Sequence, residues 1–184
     1  MNSFLKVPLT ATCLVATWQA VKVSAQIPAA LVARDGAVIA TFHAEGAQIY
    51  QCKPDPEKYP SEPRELAWQF REPVATLIVD GKSFGRHYAG PNWDHIDGSG
   101  VKGRVASTAP GASANDIAWL RLDIIEHRGS GVLSEAATIE RINTKGGMAQ
   151  GACETAGAYL SVPYSADYVF RRNTTGTANV IGKE

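Results

Sequence analysis

The sequence has no surplus of charge. Its 184 residues carry eighteen basic and eighteen acidic side chains. Without a basic face there is nothing to draw in a polyanion, and this argues against nucleic-acid binding. Long apolar runs are missing beyond the N-terminus, so no later stretch could span a membrane, which takes about 20 residues. No segment sustains an apolar period of 3.6 residues, and no long amphipathic helix is expected. Recognised catalytic signatures are missing as well. There is no Gly-x-Ser-x-Gly elbow and no HExxH helix, and no Rossmann or P-loop glycine pattern follows a strand. Cysteine is scarce, with three in all.

The N-terminus has the layout of a secretory signal. Lys6 precedes the mostly apolar residues 7–21, and Val23 and Ala25 fit the small-residue rule for cleavage after Ala25. Residues 1–25 are therefore expected to leave, placing the mature chain in a secreted or periplasmic compartment. Sixteen basic residues then stand against eighteen acidic ones, a net charge of −2. Cys13 leaves too, so the remaining cysteines, Cys52 and Cys153, are even in number in an oxidising compartment. We expect one disulfide between them, closing a loop of about 100 residues worth roughly 4–5 kcal/mol.

What is present is glycine, proline and short β-branched or alternating runs, the pattern of an all-β domain. Residues 37–42 and 48–52 flank His-Ala-Glu-Gly-Ala, which reads as a hairpin turn. Residues 66–71, 74–80, 84–89, 101–108, 117–128, 132–144 and 168–172 read as further strands. In 117–128 the spacing of Ile117, Trp119 and Leu122 breaks strict alternation, which predicts a bulge or burial on both faces. Residues 53–65 hold four prolines and read as a surface loop. The expected organisation is a signal over 1–25, one secreted β domain over 26–172 and a flexible tail over 173–184. The expected architecture is a single β-sandwich or small β-barrel with long loops, closed by one disulfide.

The densest polar stretch is Gly-Arg-His-Tyr-Ala-Gly-Pro-Asn-Trp-Asp-His-Ile-Asp-Gly-Ser-Gly, residues 85–100. By the period of two, His87 and Tyr88 face opposite ways. If the segment folds back, His87, His95 and Asp97 could converge on a divalent metal. The spacing matches no ligand motif. An EF-hand with Asp97 at its fifth position would need acids at Trp93 and His95 and a glutamate at Arg104. The glycines favour a tight turn instead, with Asp97 bonding to backbone. Trp93, among histidines and acids, is the tryptophan most readily assigned to a ligand. Farther along, Arg141 and Asn143 precede Thr144-Lys145-Gly146-Gly147, where backbone amides could cradle an anion, though a plain glycine turn is the simpler reading. His43 and Glu45 could form an acid–base pair, though exposed polar residues at the hairpin are the simpler reading.

Together, residues 46–52, 84–103, 117–122, 140–153 and 162–170 resemble a family of small secreted bacterial and fungal proteins filed as domain of unknown function 3455. The resemblance implies an exported, mostly β domain with a cysteine in its first and fourth motifs. It brings no established activity, substrate or catalytic residue. Some fungal members carry a malate dehydrogenase-like label, which finds no support here because the dinucleotide fingerprint is missing.

Two readings stand. One is a non-enzymatic domain that binds a small molecule, glycan or cell-surface partner through the 85–100 loop, with His87, Trp93, Asp94, His95, Asp97 and Asn143 as candidate contacts. The other is a metal-dependent or acid–base enzyme centred on His87, Asp94, His95 and Asp97. No cofactor is required by any motif; a divalent metal belongs only to the second reading.

Overall fold

The computed structural model describes residues 28, 31, 36–58, 60–61 and 65–173. The expected signal segment, residues 1–25, and the chain beyond Asn173 lie outside them. Asn173 itself, read as the first residue of the tail, is the last residue of a strand.

Eight strands form among the described residues, and no helix. They are β1 (Gly36–Pro54), β2 (Leu66–Val79), β3 (Lys82–Tyr88), β4 (Asn92–His95), β5 (Gly100–Ala109), β6 (Trp119–Arg128), β7 (Thr138–Gly146) and β8 (Tyr159–Asn173). Each runs antiparallel to its sequence neighbour, and β1 pairs with β8 to close the ring. Of the two expected all-β architectures, the barrel is the one that forms. Eight strands enclose an interior just wide enough to be filled by side chains or to hold one small ligand.

Alternation along β1 sets its inner face. Phe42, Ala44, Gln48, Tyr50 and Cys52 are buried, while Thr41, His43 and Glu45 between them are exposed. The expected hairpin at residues 43–47 does not form; those residues lie in mid-strand. Gly46 is there for clearance, because a β-carbon would collide with the Val74 carbonyl of β2. Glycine at a point of close backbone approach carries the same sequence signal as glycine in a turn.

The inner faces meet in a core that includes Phe42, Leu77, Trp93, Leu122, Ile139 and Phe170. Each large apolar side chain buried there contributes roughly 1.5–3 kcal/mol. A second cluster, Leu31, Trp119, Ile142 and Val169, sits on the outer side of the wall. The irregular spacing in 117–128 thus has both expected causes. Trp119 is buried outside and Leu122 inside, and the β5–β6 register shifts at Lys102/Gly103 and Val105/Ser107. The expected strand at 132–144 starts late: Val132–Glu135 is a turn and β7 begins at Thr138.

Strand lengths shape one end of the barrel. β3 reaches only as far as Ala75 on β2, and β4 only as far as Lys102 on β5. The far halves of β2 and β5 therefore have no strand between them, which leaves a notch in the wall. Pro73 sits on this free edge of β2, where a missing N–H is tolerated. The 147–158 loop lies at the same end. Cys153 in it bonds to Cys52 with Cα atoms 5.8 Å apart. Backbone bonds from Cys52 N to Ala158 O (2.9 Å) and from Gly157 N to Cys52 O (2.8 Å) hold it along β1. A disulfide is consistent with an extracellular location. No helix among the described residues is long and apolar enough to cross a membrane, which says nothing of spanning by strands.

Candidate functional site

The stretch 85–100 is not a loop. It is a meander of β3, a turn at 89–91, β4, a turn at 96–99 and the start of β5. Pairing places His87 opposite Trp93 and Gly85 opposite His95. The two histidines therefore sit on different levels of the ladder, each with its own surroundings.

His87 points into the barrel and is 3 % exposed. Its ring stacks on Trp93, centroids 4.3 Å apart and 7° from parallel, with Tyr168 edge-on at 5.1 Å. Nδ1 lies 2.9 Å from the Asn92 carbonyl oxygen. A carbonyl only accepts, so Nδ1 carries the proton and Nε2 is left as an acceptor. Burial pushes the His87 pKa down to about 3; the Asn92 bond opposes this and the positive charge of Arg141 adds to it. At neutral pH this imidazole is uncharged.

His95 packs between Phe42 (5.5 Å) and Phe84 (6.1 Å), with Nδ1 3.0 Å from the Asp97 carboxylate. Asp97 closes the turn at that end. Its carboxylate accepts from Ser99 N (2.9 Å), Ser99 Oγ (2.6 Å) and Val132 N (2.8 Å). Gly98 completes the turn at φ +90°, a conformation that side chains rarely adopt. Partial burial raises the Asp97 pKa, but bonds from Ser99, Val132 and His95 outweigh it and hold the carboxyl well below the ordinary range. The charged form thus stabilises the fold above about pH 4, and this contribution fades as the pH falls further. Asp97→Ala leaves three donors without their acceptor and is expected to lower unfolding stability by about 2 kcal/mol in denaturant titration. A loss under about 0.5 kcal/mol would show that the turn holds without the carboxylate.

Asp94 faces outward, accepting from Arg86 Nη2 and Arg128 Nη2, each at 2.9 Å. Desolvation raises its pKa, and the hydrogen bonds from Arg128, Arg86 and Tyr88 more than offset this. Asn143 lies at a register shift between β7 and β8, at φ +53°. Its Nδ2 donates to Asp167 (2.8 Å), which also binds His43 (2.9 Å) on the exposed side of the wall. The anion cradle at 144–147 is filled from within, because Gly146 N donates to Asp116 at 2.6 Å. Among the described residues, no three His, Cys, Asp or Glu side chains gather closely enough to hold a metal ion.

Of the six candidate residues, His87 and Trp93 share a cavity of about 490 Å³ at the notched end of the barrel. Leu120 and Leu122 on β6, Arg141 on β7 and Tyr168 on β8 form its inner wall. Three of its rim residues, Phe70, Val105 and Met148, are 56, 47 and 40 % exposed, so the entrance is largely apolar, with Arg71 at its edge. Two buried donors in the wall are unsatisfied. The Trp93 indole N–H has no partner, and the Gln48 amide nitrogen lies beside the Tyr164 hydroxyl without a hydrogen bond of normal geometry. Buried donors without acceptors are uncommon and costly. No motif in the sequence marks Gln48, Leu120, Leu122 or Tyr168 as a site residue, and Arg141 stands out there only as a neighbour of a glycine turn. The available signal was parity, since Arg141 shares the face of Ile139, and Gln48 that of Ala44 and Tyr50.

A closed eight-stranded antiparallel barrel, stapled by one disulfide and hollow at one end, is the class these features define. Residues 33–172 match the family described as Protein of unknown function (DUF3455), and the chain belongs to that family. No curated protein and no solved structure matches it.

Proposed function

We propose that the protein is a binding barrel that holds one small, largely apolar molecule in the cavity at its notched end. The cavity itself carries this reading. Its size falls in the range of about 300–1,000 Å³ common to small-molecule sites, and it joins an apolar wall to a few polar groups. The apolar rim favours entry of a molecule that is poorly soluble in water. The 85–100 segment takes part from the inside, through His87, Pro91 and Trp93, while Asp94, His95 and Asp97 face elsewhere.

A neutral reporter that fluoresces in apolar surroundings, N-phenyl-1-naphthylamine, tests the reading. We expect saturable enhancement with the wild-type protein. Leu120→Trp, which puts an indole into the space, is expected to weaken binding at least tenfold while the unfolding midpoint stays near that of wild type. Reporter binding that is indifferent to Leu120→Trp would remove the cavity as the site.

A further inference from the structure

The charged groups in the cavity wall are of one sign. Arg71 and Arg141 line it, with no aspartate or glutamate. Arg71 sits at the exposed edge, 3.3 Å from Glu72 and over the Tyr159 ring, so its charge is already answered. Arg141 is different. It is half-buried on the inner face of β7 and makes no ion pair among the described residues.

The hydrogen bonds of Arg141 define what it still offers. Nε and Nη2 both donate to the Ala118 carbonyl, at 3.1 and 2.8 Å. This fixes one edge of the guanidinium plane. A guanidinium has five N–H donors; two go to Ala118 and another meets the Tyr168 hydroxyl, so about two remain for the oxygens of a bound acid. The position is central, because its charge acts on Tyr50 from β1, His87 from β3, and Tyr164 and Tyr168 from β8. None of these neighbours supplies a negative charge. The phenols are held protonated by burial, and His87 is neutral. A cation in an apolar wall without a counter-charge is costly, and an anion brought in by a ligand would relieve that cost.

We infer that the cavity takes an amphiphilic carboxylate, whose acid group docks on the remaining donors of Arg141 beside Tyr168 and whose apolar body lies against Trp93, Leu120 and Leu122. The inference rests on the cavity being a ligand site and adds the chemical class of the ligand. Tyr168 stands beside the docking point, and the Trp93 and Gln48 donors are available to further acceptors on the bound molecule.

Displacement of the neutral reporter by decanoate and by decanol at pH 7.5 tests it. The two differ in the head group alone. In the wild-type protein decanoate is expected to displace at least tenfold more tightly, the scale of a charge-assisted pair. Arg141→Met is expected to bring the ratio of the two affinities to about one, and Arg141→Lys to leave it in between. Reporter binding with no preference for the acid overturns this inference and leaves the binding barrel standing. A preference that survives Arg141→Met overturns it too, by moving the anion to another cation such as Arg71. Absence of reporter and amphiphile binding alike overturns both readings. If Arg141→Met does not fold, the wild-type preference and its reduction in Arg141→Lys decide the matter.

Discussion

Cys52→Ala/Cys153→Ala is expected to lose about 4 kcal/mol of unfolding stability relative to the oxidised wild-type protein. The bridge spans 101 residues of sequence, and a cross-link of that span removes about 4.7 kcal/mol of chain entropy from the unfolded state. In the native barrel the bridge is backed by other contacts. Tyr50 Oη donates to the Gly147 carbonyl at 2.7 Å, and Cys52 shares two backbone bonds with the 157–158 segment. The loop should therefore keep its place in the variant, with the loss falling on the unfolded ensemble. Guanidinium titrations of both proteins, and of the wild type with reductant, measure it. A difference under about 1 kcal/mol would mean that the unfolded chain is already held compact by other means.

The second large effect is a dependence of stability on acid that traces to His87. Folded, this imidazole stays neutral down to about pH 3; unfolded, it takes up a proton near its ordinary pKa of 6.5. Below pH 6.5 the unfolded state thus binds more protons, and acid favours unfolding. The contribution is complete above pH 6.5 and falls by about 1.4 kcal/mol per pH unit towards pH 3. By pH 4.5 the loss from this residue is about 2.5 kcal/mol. Asp97 and Asp94 add their own losses only below about pH 4, so the two windows separate. His87→Phe keeps a flat ring against Trp93 and removes the titration. It strands the Asn92 carbonyl and lowers stability at all pH, but the slope between pH 6.5 and 4.5 should flatten. An unchanged slope in the variant would assign the acid sensitivity to another group.

His87 and Tyr88 face opposite ways as the period of two requires, because that rule is local to one strand. The Cys52–Cys153 pairing followed from counting. Gly46 reads as part of a turn, since a glycine needed for clearance from Val74 looks the same in sequence as a glycine in a turn. Trp93 reads as a loop residue because Gly90 and Pro91 dominate its neighbourhood, yet the four residues that follow them form β4. Whether His87, His95 and Asp97 converge depended on the β3–β4 register, which a linear spacing does not contain.

Arg141 marks the boundary most clearly. Alternation puts it on the face of Ile139, and the chain's short β-branched runs, its turns and the two cysteines beyond the expected signal are enough to argue for an all-β domain with one disulfide. That much is local, read from neighbours along the chain. An arginine on an inward face becomes an unanswered charge in a cavity only when β1 closes against β8 and brings Gln48, His87 and Tyr168 around it. The cavity is open because β3 and β4 stop short and leave a notch between β2 and β5. Closure, register and the relative lengths of distant strands are long-range properties, so the hollow end and the place of Arg141 in it belong to the folded barrel and not to any stretch of its sequence.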